Sequence, residues 1–154
     1  PITPDDAVLA QEFVSGLSPA SRYFRFFQVM TKLSPSLMER FLASDGQTHL
    51  ALIALAHIEG QPRIVGEARY IAAKDGFAAE FAVAISDQWH RLGIARGLIE
   101  RLESCAVKSG VRNLCGETLP NNEALIAFAR TSGFRVWSDV EDRNVLRLAK
   151  NIAL

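Results

Sequence analysis

The strongest constraint on the fold lies mid-chain, where apolar runs too short for helices are separated by tight turns. His49 to His57 is nearly all apolar and has the length of a buried strand. Glu59-Gly60-Gln61-Pro62 is turn chemistry, and Arg63 to Ile71 follows as a second strand. A Lys74-Asp75-Gly76 turn then leads into Phe77 to Ser86. Strands joined by turns this short return beside one another, so the segment predicts an antiparallel meander.

On either side the periodicity is helical. Thr3-Pro4-Asp5-Asp6 combines a cap residue, a proline at the first helical position and an acid three residues after the cap, with Leu9 and Phe13 on one face. Ser18-Pro19 and Ser34-Pro35 repeat the start signal. Tyr23, Phe26, Phe27 and Met30 follow the first, and Leu37, Met38, Phe41 and Leu42 the second. These stripes read first as core-facing surface; a substrate groove walled by Tyr23, Phe26 and Phe27 is the second reading. After the meander, Gly93 to Lys108 sets Ile94, Leu98, Leu102 and Cys105 on one face, with Gly110 at the stop. Val111 to Thr118 reads as a strand. Pro120-Asn121-Asn122 opens a helix carrying Leu125, Phe128 and Ala129 inward and ending at Gly133. Phe134 to Trp137 and Arg143 to Leu148 close the chain as two strands around an acidic turn. This order predicts a mixed α/β sheet in one domain over residues 1–154.

Composition narrows the partners. Hydrophobic residues make up 49%, which excludes a disordered chain. Lys+Arg and Asp+Glu are both 17, so there is no basic surplus of the kind nucleic acid or an anionic membrane demands. No apolar run is long enough to span a bilayer and no charged-then-apolar signal opens the chain, which fits a cytoplasmic enzyme. Cys105 and Cys115 form no C-x-x-C pair, and His49, His57 and His90 have no ligand spacing with them. No metal is expected, and both thiols are expected to be buried in a reducing compartment.

The chemistry concentrates in Trp89-His90-Arg91-Leu92-Gly93-Ile94-Ala95-Arg96-Gly97, between an apolar strand and an amphipathic helix. The first N–H groups of a helix have no intrahelical acceptor and sit at the positive end of its dipole. Such a turn suits a pyrophosphate, and Gly93 and Ala95 leave room for close approach. Arg91 and Arg96 can add charge-assisted bonds. The Lys-Ser/Thr pair of a Walker loop and the three glycines of a dinucleotide fingerprint are both missing. Taken alone, the turn also suits an ordinary strand-to-helix connection.

This stretch resembles the acetyl-CoA signature of the GNAT acetyltransferase superfamily, Gln/Arg-x-x-Gly-x-Gly/Ala, with His90 at the Gln/Arg position, Gly93 at the glycine and Ala95 at the last small residue. Asn122 through Gly133-Phe134 is similar to the family's Asn-x-x-Ala…Gly-Phe helix, with Leu125 at the usual alanine. Leu17 to Phe27, Ile64 to Tyr70, Ala79 to Val83 and Gly116 to Pro120 further resemble the GNAT domain of bacterial Pat-type protein lysine acetyltransferases. The resemblance implies a GNAT-like, mixed, mostly antiparallel twisted sheet flanked by helices, with splayed central strands. GNAT domains usually open with a short strand ahead of the segment matching Pro1 to Asp6, so the first strand is expected to be cut short here. Pat enzymes usually join the domain to a large synthetase-like or nucleotide-sensing part, and neither is expected within these 154 residues.

The same resemblance implies acetyl-CoA as acetyl donor. It would be held by Val83, Ala84 and Ile85 on the splayed strand, by His90, Arg91, Leu92, Gly93, Ile94, Ala95 and Arg96 in the turn, and by Asn122. The acceptor would be an amine attacking directly, with no acetyl-enzyme. Glu80 corresponds to the catalytic glutamate of Pat-type relatives, and its neighbours Phe81 and Val83 predict partial burial. The alternative is a solvated residue, or one paired for instance with Arg69. Glu117 is the reserve base, and Glu67 is expected to be structural, paired with a neighbouring arginine. The tyrosine acid of many GNAT enzymes is replaced by Ala129, so water is expected to protonate the thiolate. The expected acceptor is a protein lysine. The alternatives are a small cationic molecule (a polyamine, amino acid or aminoglycoside) drawn by the acidic loop Ser138 to Asp142, or no acceptor, in a non-catalytic acetyl-CoA-binding domain. Dimers are common for this fold, which leaves a homodimer open.

Overall fold

The computed structural model describes residues 1–153. Thr3 gives its N–H to the Asp6 carboxylate at 2.8 Å, and a 3-10 turn, Pro4–Asp6, leads into α1 (Ala7–Gly16). The two Ser-Pro signals start α2 (Pro19–Phe26) and α3 (Pro35–Leu42). There the Ser18 and Ser34 hydroxyls accept the N–H groups of Ser21 at 3.1 Å and Leu37 at 3.3 Å. α2 ends before the predicted stripe does. Phe27 turns left-handed at φ 56 while its N–H still reaches Tyr23 O at 2.8 Å, and Met30 lies beyond the helix.

The meander is β1 (His49–Ile58), β2 (Gln61–Ala72) and β3 (Ala78–Ile85), antiparallel throughout. Its first turn is tighter than predicted. Glu59 and Gly60 alone make it, at φ 53 and 79, while Gln61 and Pro62 already pair with Ile58 and His57. Next come α4 (Ile94–Lys108), β4 (Asn113–Thr118), α5 (Glu123–Thr131), β5 (Arg135–Ser138) and β6 (Leu146–Asn151). The last strand begins at Leu146 rather than Arg143. Asp139 accepts the N–H groups of Glu141 at 2.8 Å and Asp142 at 3.0 Å, and it pairs with Arg147. This keeps the acidic loop closed on itself until Leu146 meets Ser138.

The strands form one six-stranded sheet in the order β1-β2-β3-β4-β6-β5. Only β3 and β4 run parallel, and they pair over Ala78–Glu80 and Asn113–Cys115 alone. β4 stays with β6 as far as Thr118 and β3 stays with β2 as far as Ile85, so the sheet opens into a wedge at its centre. On one face, Leu50, Leu52, Tyr70, Phe81, Leu114 and Leu148 pack against Leu98, Ile99 and Leu102 of α4 and Ala129 of α5. On the other, Ala51, Ile53, Ile64 and Ala84 meet Phe13 and Val14 of α1 and Phe41 of α3. β4 alternates exposed and buried residues, so Cys115 and Glu117 face solvent on the side away from α4. Cys115 is therefore exposed, against the expectation of a buried thiol, and both cysteines are free.

Candidate active site

The strand-to-helix turn has two residues in the left-handed region. Arg91 and Gly93 both have positive φ, at 63 and 83, and this alternation turns successive main-chain N–H groups toward one side. A Cβ on Gly93 would meet nothing within 4 Å, so the glycine serves the backbone conformation and leaves the space in front of it open. The first N–H of α4 with a main-chain acceptor is that of Gly97, which reaches Gly93 O at 3.0 Å. Among the described residues, the N–H groups of Ile94, Ala95 and Arg96 have no main-chain acceptor, and no side chain caps them. This leaves a cradle of positive potential at the head of a 15-residue helix.

His90 stiffens the turn from behind. Its Nε2 lies 2.9 Å from Ile85 O, and a carbonyl can only accept, so Nε2 carries the proton. Asp87 ties the same loop to α2. Its carboxylate accepts from Ser18 N at 3.0 Å, Ser18 Oγ at 3.0 Å and Ser21 Oγ at 2.9 Å. Burial alone would raise the Asp87 pKa, but these donors outweigh it and hold the carboxyl below its ordinary value.

From the cradle a cavity of about 900 Å³ runs into the wedge between β3 and β4. Phe81 to Ile85 line it along the unpaired edge of β3, and Leu125 and Phe128 of α5 line it opposite. Asn122 also borders it, but its Oδ1 caps α5 through Leu125 N at 3.4 Å. Ala129 is buried in the core, so no side chain at that position reaches the cavity. Glu80 and Glu117 line it as well, as do Ser21, Phe24, Arg25 and Phe27 from the α2 segment. Phe27 thus does wall the groove. Phe26 packs on Phe41 instead, with ring centroids 6.4 Å apart.

The two candidate bases differ in surroundings. Glu80 is exposed rather than partly buried, because Phe81 turns to the opposite face of the strand and covers the core there. Arg69, its suggested partner, is taken up by Glu67 and by the carbonyls of Arg40 and Phe41. Among the described residues Glu80 enters no ion pair, whereas Glu117 shares Arg147 at 3.2 Å. Glu80 sits beside Cys115 in the register, and partial desolvation, with the Glu80 charge, pushes the Cys115 thiol pKa up. That keeps the thiol protonated and a poor nucleophile.

The model of the Acetyltransferase (GNAT) family matches residues 19–134, a span that holds the cradle, the wedge and α5. The chain belongs to the GNAT acetyltransferase family. It is 32% identical over 142 residues to an acetyltransferase of Pseudomonas aeruginosa, covering 92% of this chain and 76% of that protein. The crystal structure of the GNAT domain of S. lividans PAT matches at a TM-score of 0.87 and 30% identity, covering 98% of this chain and 88% of that one. A GNAT-family acetyltransferase from Streptococcus pneumoniae shares the fold at a TM-score of 0.71 and 22% identity, covering 98% and 96%. The chain is thus an acyltransferase of the GNAT fold. Among the described residues there is no group of three or more His, Cys, Asp or Glu that could hold a metal ion, and no helix is long and apolar enough to cross a membrane.

Two features of the site had no signal in the sequence. Glu67 was expected to pair with a neighbouring arginine and does so with Arg69. Its second partner, Arg25, comes from α2, 42 residues away. Asp87 looks like any loop acid, and its serine partners lie 66 and 69 residues upstream.

Proposed function

We propose that residues 1–154 form one acetyltransferase domain that moves the acetyl group of acetyl-CoA to a primary amine, in the first place a protein lysine, with Glu80 as base. The observation that carries this reading is the cradle of unsatisfied amides opening onto a cavity that reaches Glu80 through the wedge. The residues fit the donor. The turn from His90 to Arg96 supplies N–H groups and two arginines for a diphosphate, with Asn122 beside it. The free edge of β3 at Val83, Ala84 and Ile85 supplies main-chain partners for an extended amide-bearing arm. When bound, acetyl-CoA supplies the activated acyl group and a thiolate that leaves readily.

A lysine-type amine has a pKa of about 10.4, so near neutral pH only about one in a thousand is neutral, a barrier of about 4 kcal/mol. Glu80, exposed at the acceptor end and free of a cation partner, takes the proton from the ammonium directly or through water. The amine nitrogen then bonds to the carbonyl carbon and the C–S bond breaks with its electron pair on sulfur. A β3 main-chain N–H steadies the oxyanion. The nitrogen loses one proton and the sulfur gains one through water, since Ala129 offers no acid. The net products are amide, free thiol and the proton first removed.

The test is a panel of peptide lysines and small amines with free-thiol detection, repeated with Glu80→Gln. The reading expects turnover with peptide lysines, and a drop of about 10²–10⁴-fold in the variant with acetyl-CoA affinity retained. Unchanged turnover removes Glu80, and turnover with small amines alone removes the protein lysine. Acetyl-CoA binding with no turnover for any acceptor favours a binding domain over an enzyme.

A further inference from the structure

In the wall of the cavity lies a cation, Arg25, whose hydrogen-bonding capacity the protein leaves mostly unused. Glu67 is fully buried between two guanidiniums, Arg25 and Arg69. All three nitrogens of Arg69 are engaged: Nε gives to Glu67 at 2.9 Å, and its terminal nitrogens give to Arg40 O at 3.3 Å and Phe41 O at 2.9 Å. Arg22, one turn earlier in α2, is likewise engaged with the carbonyls of Met30, Ser15 and Leu17. Arg25 differs. Only its Nε is engaged, with Glu67, and it lies over the Phe26 ring at 4.8 Å. Among the described residues its two terminal nitrogens have no protein acceptor. They are not among the buried polar atoms left without partners, and the residue lines the cavity.

Charge points the same way. One carboxylate between two guanidiniums leaves the cluster with an excess positive charge beside the cavity. Across the same space Glu80 holds a carboxylate with no cation partner. The cavity lining therefore presents one open cationic fork and one open carboxylate, with Glu67 fixing the fork and Asp87 fixing the start of α2. Two fixed charges of opposite sign suit a ligand carrying both signs. A planar guanidinium with two free terminal N–H groups is matched by a carboxylate.

We infer that Arg25 forms an anionic subsite that selects acceptors bearing a carboxylate close to the reacting amine. The inference rests on the acetyl-transfer reading above. The carboxylate can belong to a free amino acid or to an acidic residue beside a peptide lysine, and the experiment separates these sources.

kcat/KM is measured by thiol release for two matched pairs: free lysine against pentane-1,5-diamine, and a peptide with glutamate beside its lysine against the same peptide with glutamine. The expected result is a preference of about tenfold or more for the carboxylate-bearing member in at least one pair. A preference within the first pair identifies an amino acid, and one within the second an acidic peptide site. Arg25→Gln reduces the preference to about twofold or less, leaving acetyl-CoA affinity unchanged. Arg25→Lys keeps the charge without the fork and retains an intermediate preference, which also covers a glutamine variant that fails to fold. Equal kcat/KM within both pairs overturns the subsite, as does an undiminished preference in either variant. Acetyl-CoA consumption with no carboxylate preference sinks this inference alone, whereas no consumption with any acceptor sinks the acetyl-transfer reading with it.

Discussion

Replacing Glu67 by glutamine probes how α2 is held against the sheet. Glutamine keeps the volume of a fully buried side chain, removes the charge that Arg25 and Arg69 both face, and turns an amide N–H₂ toward one of them. Breaking a buried pair from one side costs about 3–5 kcal/mol, because the remaining charge is left uncompensated. Arg25 retains 13% of its side-chain exposure and Arg69 keeps two carbonyl acceptors, which favours the lower half, about 3–4 kcal/mol. In a 154-residue chain this lowers Tm by roughly 6–16 °C, at about 2–4 °C per kcal/mol. The pH dependence has a definite sign. Burial pushes the Glu67 pKa up, but the two guanidiniums outweigh it and hold the carboxyl below its ordinary 4.5. Its contribution is thus complete above 4.5 and is lost as pH falls through the folded-state value. Urea unfolding followed by circular dichroism, at pH 7 and in steps downward, measures both. A difference under about 1 kcal/mol at pH 7, or one that grows on acidification, refutes this reasoning.

Further substitutions test the parts that position the site. Gly93→Ala forces a Cβ into a φ of 83, costing about 1–2 kcal/mol in backbone strain, and places a methyl at the cradle; stabilisation by saturating acetyl-CoA, about 2.7 kcal/mol at a hundred times Kd, shrinks in a thermal shift assay. Asp87→Ala removes the carboxylate that accepts from the Ser18 N–H and from the Ser18 and Ser21 hydroxyls, lowering stability by about 1–3 kcal/mol and raising KM for the acceptor more than for acetyl-CoA. Gly66→Ala sets a Cβ 2.7 Å from Ile85 Cδ1 and 3.2 Å from Ile94 Cγ2, so the first turn of α4 shifts, with about 1–3 kcal/mol lost in denaturant titration.

Much of this arrangement was legible because it is local. Ser-Pro pairs mark helix starts through a hydroxyl and a fixed φ, and both markers sit where α2 and α3 begin. The short turns of the meander and the glycine at 93 declare their backbone geometry in composition alone. What escaped is long-range. Nothing near Arg25 announces that its partner lies on β2, and nothing near Asp87 announces the serines of α2. Cys115 was misjudged because a cysteine in a short strand reads as core, whereas it falls on the face of β4 turned away from α4, which is left exposed. Phe27 was misplaced at the end of α2 because a left-handed phenylalanine has no compositional mark.

A crystal structure of the chain with acetyl-CoA addresses the central claim most directly. The account predicts diphosphate oxygens about 2.7–3.2 Å from main-chain nitrogens between Leu92 and Arg96, with the arm along β3 toward Glu80. A diphosphate bound elsewhere, with those nitrogens facing only solvent, contradicts it.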